Sequence, residues 1–447
     1  MLKRILVIMV AVLAGFGLAQ FAGRHAGAPS WWPDRERDKQ VRYYREVLQL
    51  VKENYVGDAP ADYQSLTRSA LDGMVSQLDP HSQFLVADAY RETEDELTNA
   101  FTGVGIQVEA RDGHIVIVSP IPGTPAERAG LRRGDQLTKI DGDPLVNPTL
   151  DSTIKLVRGE PGSLVTLTVF RPSQNRTIDF AVRRERIQLD SVRLASVRPG
   201  HIGYLQITQF SERTGDEFKA ALEGLEKEGI RALIIDLRNN PGGLLDAAID
   251  VCNEFFDKGE LIVYTQGRTP DSRENYNAKG GHGARKYPVA ILVNGGSASA
   301  AEIVSGAMRD TKRAVIVGEK TFGKGSVQSV IELENGEGLR LTTARYYTPS
   351  GVTIHEKGVL PNVEVVMTPE DDQNVRLQRA RRDVKDPAEF KERFGFEPTE
   401  DRQLQAAMDV LRGIMILDER KAQPAKAEPA ATDKAAAPAK PATPAKK

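Results

Sequence analysis

Two stretches of this chain share one plan: a short apolar run, a glycine-rich turn, then a helix-forming pattern. Ala232-Leu233-Ile234-Ile235-Asp236 runs on to Pro241-Gly242-Gly243, and residues 289–293 run into Gly295-Gly296 with a helical pattern from Ala300 onward. Each apolar run reads as a buried strand. Residues 202–210 read as a further strand, followed by an amphipathic helix over 216–228. Strand and helix alternate in this way through residue 320, which predicts an α/β core.

The chain has 447 residues, too many for one core, so two or three domains are expected. An apolar fraction of 40% and a charged fraction of 27% are globular values, and a net charge of −2 argues against nucleic acid as the main partner. The six histidines and the single cysteine, Cys252, form no ligand spacing, so no metal or cofactor is expected. Cys252 falls in a helical apolar pattern with Ala247, Ala248, Val251 and Phe255, which reads as core.

The chemistry concentrates in two glycine-rich segments. In Asn294-Gly295-Gly296-Ser297-Ala298-Ser299-Ala300 a strand, a sharp turn and a helix can present a hydroxyl at a helix N-terminus, where unpaired N–H groups favour developing negative charge. In Gly323-Lys324-Gly325-Ser326-Val327-Gln328 a lysine stands between glycines, with an amide side chain four positions on. Gly318-x4-Gly323-Lys324 is most of a phosphate-binding loop, but Gly325 stands where Ser or Thr is needed. Residues 327–333 also read as strand, whereas that motif opens a helix. Ser152-Thr153-Ile154-Lys155 is an S-x-x-K string without its partner motifs and reads as structural.

With these motifs the chain resembles the C-terminal processing peptidases, or tail-specific proteases, over roughly residues 40–417. The resemblance implies Ser299 as nucleophile, Lys324 as general base and Gln328 as the group that orients the lysine. The chemistry agrees, because a lysine takes a serine proton only if desolvation lowers its pKa toward neutrality. Ser297, directly after two glycines, suits a turn residue, and the resemblance selects Ser299 over it. It also implies an oxyanion hole from the N–H of Ala300 and that of Gly242 or Gly243, Gly242 being preferred. Pro241 has no N–H to give. His355 would be the base only in a Ser–His–Asp arrangement, which the resemblance argues against. Asp79 and His81 read as turn residues.

Residues 99–185 look like a PDZ domain. Its Gly103-Val104-Gly105-Ile106 loop would capture a free C-terminal carboxylate through backbone N–H groups, the peptide adding as an edge strand. The fold class expected is multidomain α+β: a protease core (186–370) with an inserted PDZ module and helical segments at 31–98 and 371–420. Lys3 and Arg4 precede an apolar run over residues 5–19, so residues 1–30 read as a signal peptide or membrane anchor. This places the bulk of the chain outside the cytoplasm, in a bacterial periplasm or on the periplasmic face of the inner membrane. Residues 421–447 are Ala, Pro and Lys with little else and read as a disordered tail. The function expected is an exported Ser–Lys endopeptidase that recognises protein C-termini; the alternative is a catalytically silent or adaptor-gated PDZ scaffold. Homo-oligomers through the terminal helices and an adaptor protein are the partners the resemblance implies besides substrates.

Overall fold

The computed structural model describes residues 34–111, 113–280 and 285–422. The expected export segment and nearly all of the Ala/Pro/Lys tail lie outside them. No helix among the described residues is long and apolar enough to cross a membrane.

Residues 34–84 form one unit. Its helix Arg35–Asn54 starts where the Asp34 carboxylate accepts the Arg37 N–H, and none of its residues is buried. Val41, Tyr44, Val47 and Val51 recur on one exposed face. A second helix, Tyr63–Ser76, is capped by Asp62. Beyond it, Asp79 accepts the N–H groups of His81 and Ser82 at 2.8 and 3.0 Å, so it ties a turn.

The second unit, from residue 85 on, holds the PDZ module and the core. The module is a sheet in the order Ile106–Arg111, His114–Pro120, Gln136–Ile140, Leu164–Arg171, Arg176–Arg183, and Leu150–Val157 is its longer helix. Ile115, Ile117, Leu137, Val165, Leu167 and Val169 fill its interior. Its two ends meet in one antiparallel ribbon, Ala100 opposite Gln188 through Gly103 opposite Glu185, which makes the module an insertion. On its outer side Glu109 is held by Arg381 and Arg393, and Arg133 pairs with Asp383 at 2.8 Å. These ion pairs, all to residues after 380, connect the module to the C-terminal segment.

In the core the strands are β1 (Val192–Arg198), β2 (Ile202–Ile207), β3 (Ala232–Asp236), β4 (Leu261–Gly267), β5 (Arg273–Asn277), β6 (Val289–Val293), β7 (Val315–Gly318), β8 (Ser326–Glu332), β9 (Gly338–Tyr347) and β10 (Val363–Glu364). One sheet has the order β1-β2-β3-β6-β7-β10, parallel except for the β1–β2 pair. Strands β8, β9, β4 and β5 join antiparallel in a second. The helices are α1 (Thr214–Lys227), α2 (Leu245–Asn253), α3 (Ala300–Asp310), α4 (Pro369–Ala380), α5 (Pro387–Phe394) and α6 (Arg402–Ala422).

β3 is a buried strand as expected, and its two faces pack differently. Leu233 and Ile235 pack with Phe218 of α1, Cys252 of α2 and Ile303 of α3, whereas Ala232 and Ile234 pack with Met408 and Leu411 of α6. The C-terminal helix is thus part of the core: its Leu404, Met408, Leu411 and Met415 stripe covers the sheet. Leu411→Ala should lower the core's stability by about 2–5 kcal/mol, read as a shift of the urea unfolding midpoint. An unchanged midpoint would mean that α6 does not close the core.

Candidate active site

All of the chemistry-bearing turns lie at the carboxyl ends of β3, β6 and β7, where parallel strands of an open sheet deliver their loops. Ser299 is the residue before α3 and has φ +53° and ψ −114°, a conformation that side chains larger than glycine seldom adopt. Surrounding contacts impose it. Asn240 from the β3 loop accepts the Ala298 N–H at 2.9 Å on its carbonyl. Ser297 is wholly buried, gives its hydroxyl hydrogen to the Leu237 carbonyl at 2.8 Å and accepts the Asn294 N–H. Ser297 is therefore a turn residue, and Ser299 is the hydroxyl presented at the helix start.

The Pro-Gly-Gly loop lies directly against that serine. A Cβ on Gly242 (φ +100°) would come within 2.7 Å of the Ser299 Cβ and 3.0 Å of the Ala300 nitrogen, so only glycine fits. The Gly242 N–H, however, is given to the buried Asn240 Oδ1 at 2.8 Å. Among the described residues the N–H groups of Ala300 and Gly243 have no acceptor. Of the two glycines considered, Gly243 is the one with a free donor, and Gly242 needs Asn240 to let go before it can face an oxyanion.

Lys324 sits on the loop between β7 and β8. Two backbone bonds zip this region to the serine turn, Glu319 N–H to the Val293 carbonyl at 3.0 Å and Phe322 N–H to the Ser297 carbonyl at 3.0 Å. A third tie was not foreseen. The Glu302 carboxylate, fully buried in the first turn of α3, accepts the N–H of Ser299 at 2.9 Å and of Lys324 at 2.8 Å on one oxygen. Its other oxygen accepts the Gly323 N–H at 2.8 Å and the Thr321 hydroxyl. One carboxylate thereby fixes the backbone of both members of the expected dyad. The string Ser299-x-x-Glu302 carries this signal as an S-x-x-E helix start, though nothing local says that the carboxylate also reaches a second loop.

Burial pushes the Lys324 ammonium below its ordinary pKa, and the charge of Arg340 pushes it the same way. Its amine has no hydrogen-bond or ion-pair partner among the described residues. Gln328 does not reach it: the amide gives hydrogen bonds to Ser326 Oγ at 2.8 Å and Thr342 Oγ1 at 3.4 Å, next to a register shift between Val327 and Gln328. Tyr346 of β9 is the other residue that sequence patterns could not place here. It is buried, gives its N–H to the Gly325 carbonyl at 2.8 Å, and its phenol lies near the Ser299 hydroxyl. Burial holds that phenol neutral, its pKa pushed up to about 12. His355 packs its backbone against Gly325 and makes no hydrogen bond to Ser299. The S-x-x-K serine, Ser152, accepts and returns bonds with Thr149 as a helix cap, far in sequence from this site.

In the PDZ module the Gly103–Ile106 loop borders a groove of about 410 Å³ with Phe101, Ile154, Val157 and Arg158 along it. The Val104 and Gly105 N–H groups have no acceptor among the described residues. Ile106–Arg111 is the last strand of its sheet, so its outer edge is open.

This combination defines a serine peptidase with an attached PDZ module. The Peptidase family S41 model matches residues 201–365, and a PDZ domain model matches 116–171. A carboxy-terminal-processing protease of Bartonella bacilliformis is 40% identical over 331 residues, covering 73% of this chain and 75% of that protein. The carboxy-terminal processing protease CtpA of Bacillus subtilis is 34% identical over 364 residues, 81% of this chain and 77% of that one. A solved photosystem II D1 C-terminal processing protease is 33% identical, covers 70% of this chain and 85% of that chain, and superposes with a TM-score of 0.42. The chain belongs to peptidase family S41.

Two expectations follow for an S41 peptidase built this way. Glu302→Gln puts an amide N–H₂ against backbone N–H donors, and the resulting displacement of Ser299 from Lys324 should lower kcat by about 10²-fold. Wild-type kcat in that variant would remove the carboxylate from the site's construction. Arg340→Gln removes a positive charge that disfavours the lysine's ammonium, so the lysine's pKa rises. The acidic limb of the kcat/KM–pH profile should then move to higher pH; a limb that stays or moves to lower pH rules out this electrostatic influence.

Proposed function

We propose that this chain is an exported endopeptidase that captures protein C-termini in its PDZ groove and cuts by a Ser299–Lys324 dyad. The single observation that carries the reading is the Glu302 carboxylate, which holds the Ser299 turn and the Lys324 loop to one another by backbone N–H groups. Ser299 attacks the scissile carbonyl, and the neutral amine of Lys324, favoured by burial, takes its proton and returns it to the leaving amine. The oxyanion forms at the N–H of Ala300 and of Gly243, or of Gly242 once released from Asn240. Gln328 turns from Ser326 to the lysine as the dyad closes. The free N–H groups of Val104 and Gly105 support carboxylate capture, and the apolar groove walls support tails ending in apolar residues.

The disengaged Lys324 and Gln328 favour a gated form of this reading, in which a bound tail or an adaptor protein brings the dyad together. The helix Arg35–Asn54, with an apolar face and no buried residue, supports self-association through the N-terminal region. The N-terminal basic and apolar segment supports export to a bacterial periplasm, with the chain free there or held at the inner membrane.

The test is cleavage of an unfolded protein with an apolar C-terminus by chain lacking residues 1–30. Ser299→Ala and Lys324→Ala should abolish cutting, while Ser297→Ala and His355→Ala keep it. Amidating the substrate's C-terminus should raise KM and leave cleavage of saturating substrate intact. Loss of activity in His355→Ala alone, with Lys324→Ala active, would sink the dyad. An inert wild type that still binds C-terminal peptides would leave a scaffold in place of an enzyme.

A further inference from the structure

On the α6 side of the sheet, a pocket of about 150 Å³ opens between β1, β2 and the C-terminal segment. Arg198, Arg379 and Arg382 face it, together with Tyr204, Val375 and Leu404. The acids beside it are already matched. Asp236 is fully buried and bound by Arg238, Arg379 and the Tyr204 hydroxyl, and its carboxyl is held well below the ordinary carboxylate range by the two guanidiniums. Asp401 binds both Nη atoms of Arg238 at 2.7 and 2.8 Å. Two carboxylates thus neutralise Arg238 and Arg379. Arg198 and Arg382 are left with no hydrogen-bond or ion-pair partner for their side chains among the described residues.

Like charges crowded in this way need a reason to stay together. Arg198 lies 4.9 Å from the Tyr204 ring centroid, which fixes its guanidinium over an aromatic face. The Nε atoms of Arg198 and Arg379 are buried without an acceptor. Buried N–H groups without acceptors are rare in folded proteins, and two in one pocket call for a ligand that supplies several oxygens. The polar groups on the far wall offer none: Gln378 and the Thr399 backbone are bonded to each other at 2.7 and 3.1 Å.

We propose that this pocket binds a phosphate-class dianion, free or as a terminal phosphomonoester. Two uncompensated guanidiniums match a charge of −2, and guanidinium forks suit tetrahedral oxyanions. The volume suits a bare oxyanion and falls below the roughly 300–1,000 Å³ of pockets that enclose drug-sized ligands. Neither Ser299 nor the PDZ groove contributes a residue, so the site stands apart from the peptidase reading.

The experiment is titration calorimetry of inorganic phosphate into the full chain in detergent, at fixed ionic strength set with chloride. Saturable binding at one site is expected, with sulfate competing and Ser299→Ala binding as wild type. R382Q alters an exposed side chain and R198Q a partly buried one, and each should weaken binding by about tenfold or more through loss of a charge-assisted contact. Circular dichroism melting checks that both variants fold. Absence of saturable heat overturns the proposal, as does undiminished binding in folded R382Q. Glycerol 3-phosphate distinguishes the source: binding equal to that of phosphate assigns a phosphomonoester, and failure to bind assigns the free ion.

Discussion

A single buried carboxylate organises the turns that carry Ser299 and Lys324. Glu302 has no exposure to solvent and accepts four hydrogen bonds, three of them from backbone N–H groups on two separate loops. Burying an ionised group is unfavourable unless donors surround it, so the fold must keep all four donors in place or lose the charge's compensation. The condition is stringent, and it couples three things. The left-handed backbone of Ser299, the course of the lysine loop and the first turn of α3 stand or fall together. A serine turn of ordinary geometry would not need such a device; a strained one does.

The parallel sheet supplies the frame for that device. Strands β3, β6 and β7 are covered on both faces, by α1 to α3 on one side and α6 on the other, so their carboxyl ends are fixed relative to one another before any loop is built. Gly242 then lets the β3 loop approach the serine more closely than a side chain would allow, and Gly243 lets the same loop lie against the Phe210 backbone. Arg238, fully buried between Asp236 and Asp401, ties the same loop to the start of α6. A helix at the far end of the chain thus bears on the geometry at Ser299.

Much of this was legible in the sequence because it is local. The apolar runs of β3 and β6 and the glycines after them lie where their pattern places them, whereas the helical stripe of Leu404, Met408 and Leu411 suits core or partner surface equally and proves to be core. The PDZ insertion was readable from its loops. What could not be read is what depends on two distant segments meeting. Glu302 advertises a helix start but not its second loop, and Tyr346 lies in an ordinary strand pattern with no mark of its contact with Ser299. Gln328 shows the same limit from the other side: it stands four positions after Lys324, yet beside a register shift its amide bonds Ser326. The donor choice between Gly242 and Gly243 rests on where the Asn240 side chain points, which no motif encodes.

The way the PDZ module is mounted has its own consequence. Its ends return through one two-stranded ribbon, and its outer side touches the C-terminal segment through Glu109 and Arg133 by charge pairing. Contacts of this polar kind favour relative motion of the joined parts, whereas a shared apolar core would forbid it. Under the proposed function, the separation between a tail held in the PDZ groove and Ser299 would then be a variable rather than a constant of the molecule. The substrate length bridging the two would be set by the range of module positions, so an enzyme of that kind would measure its substrates with an elastic ruler.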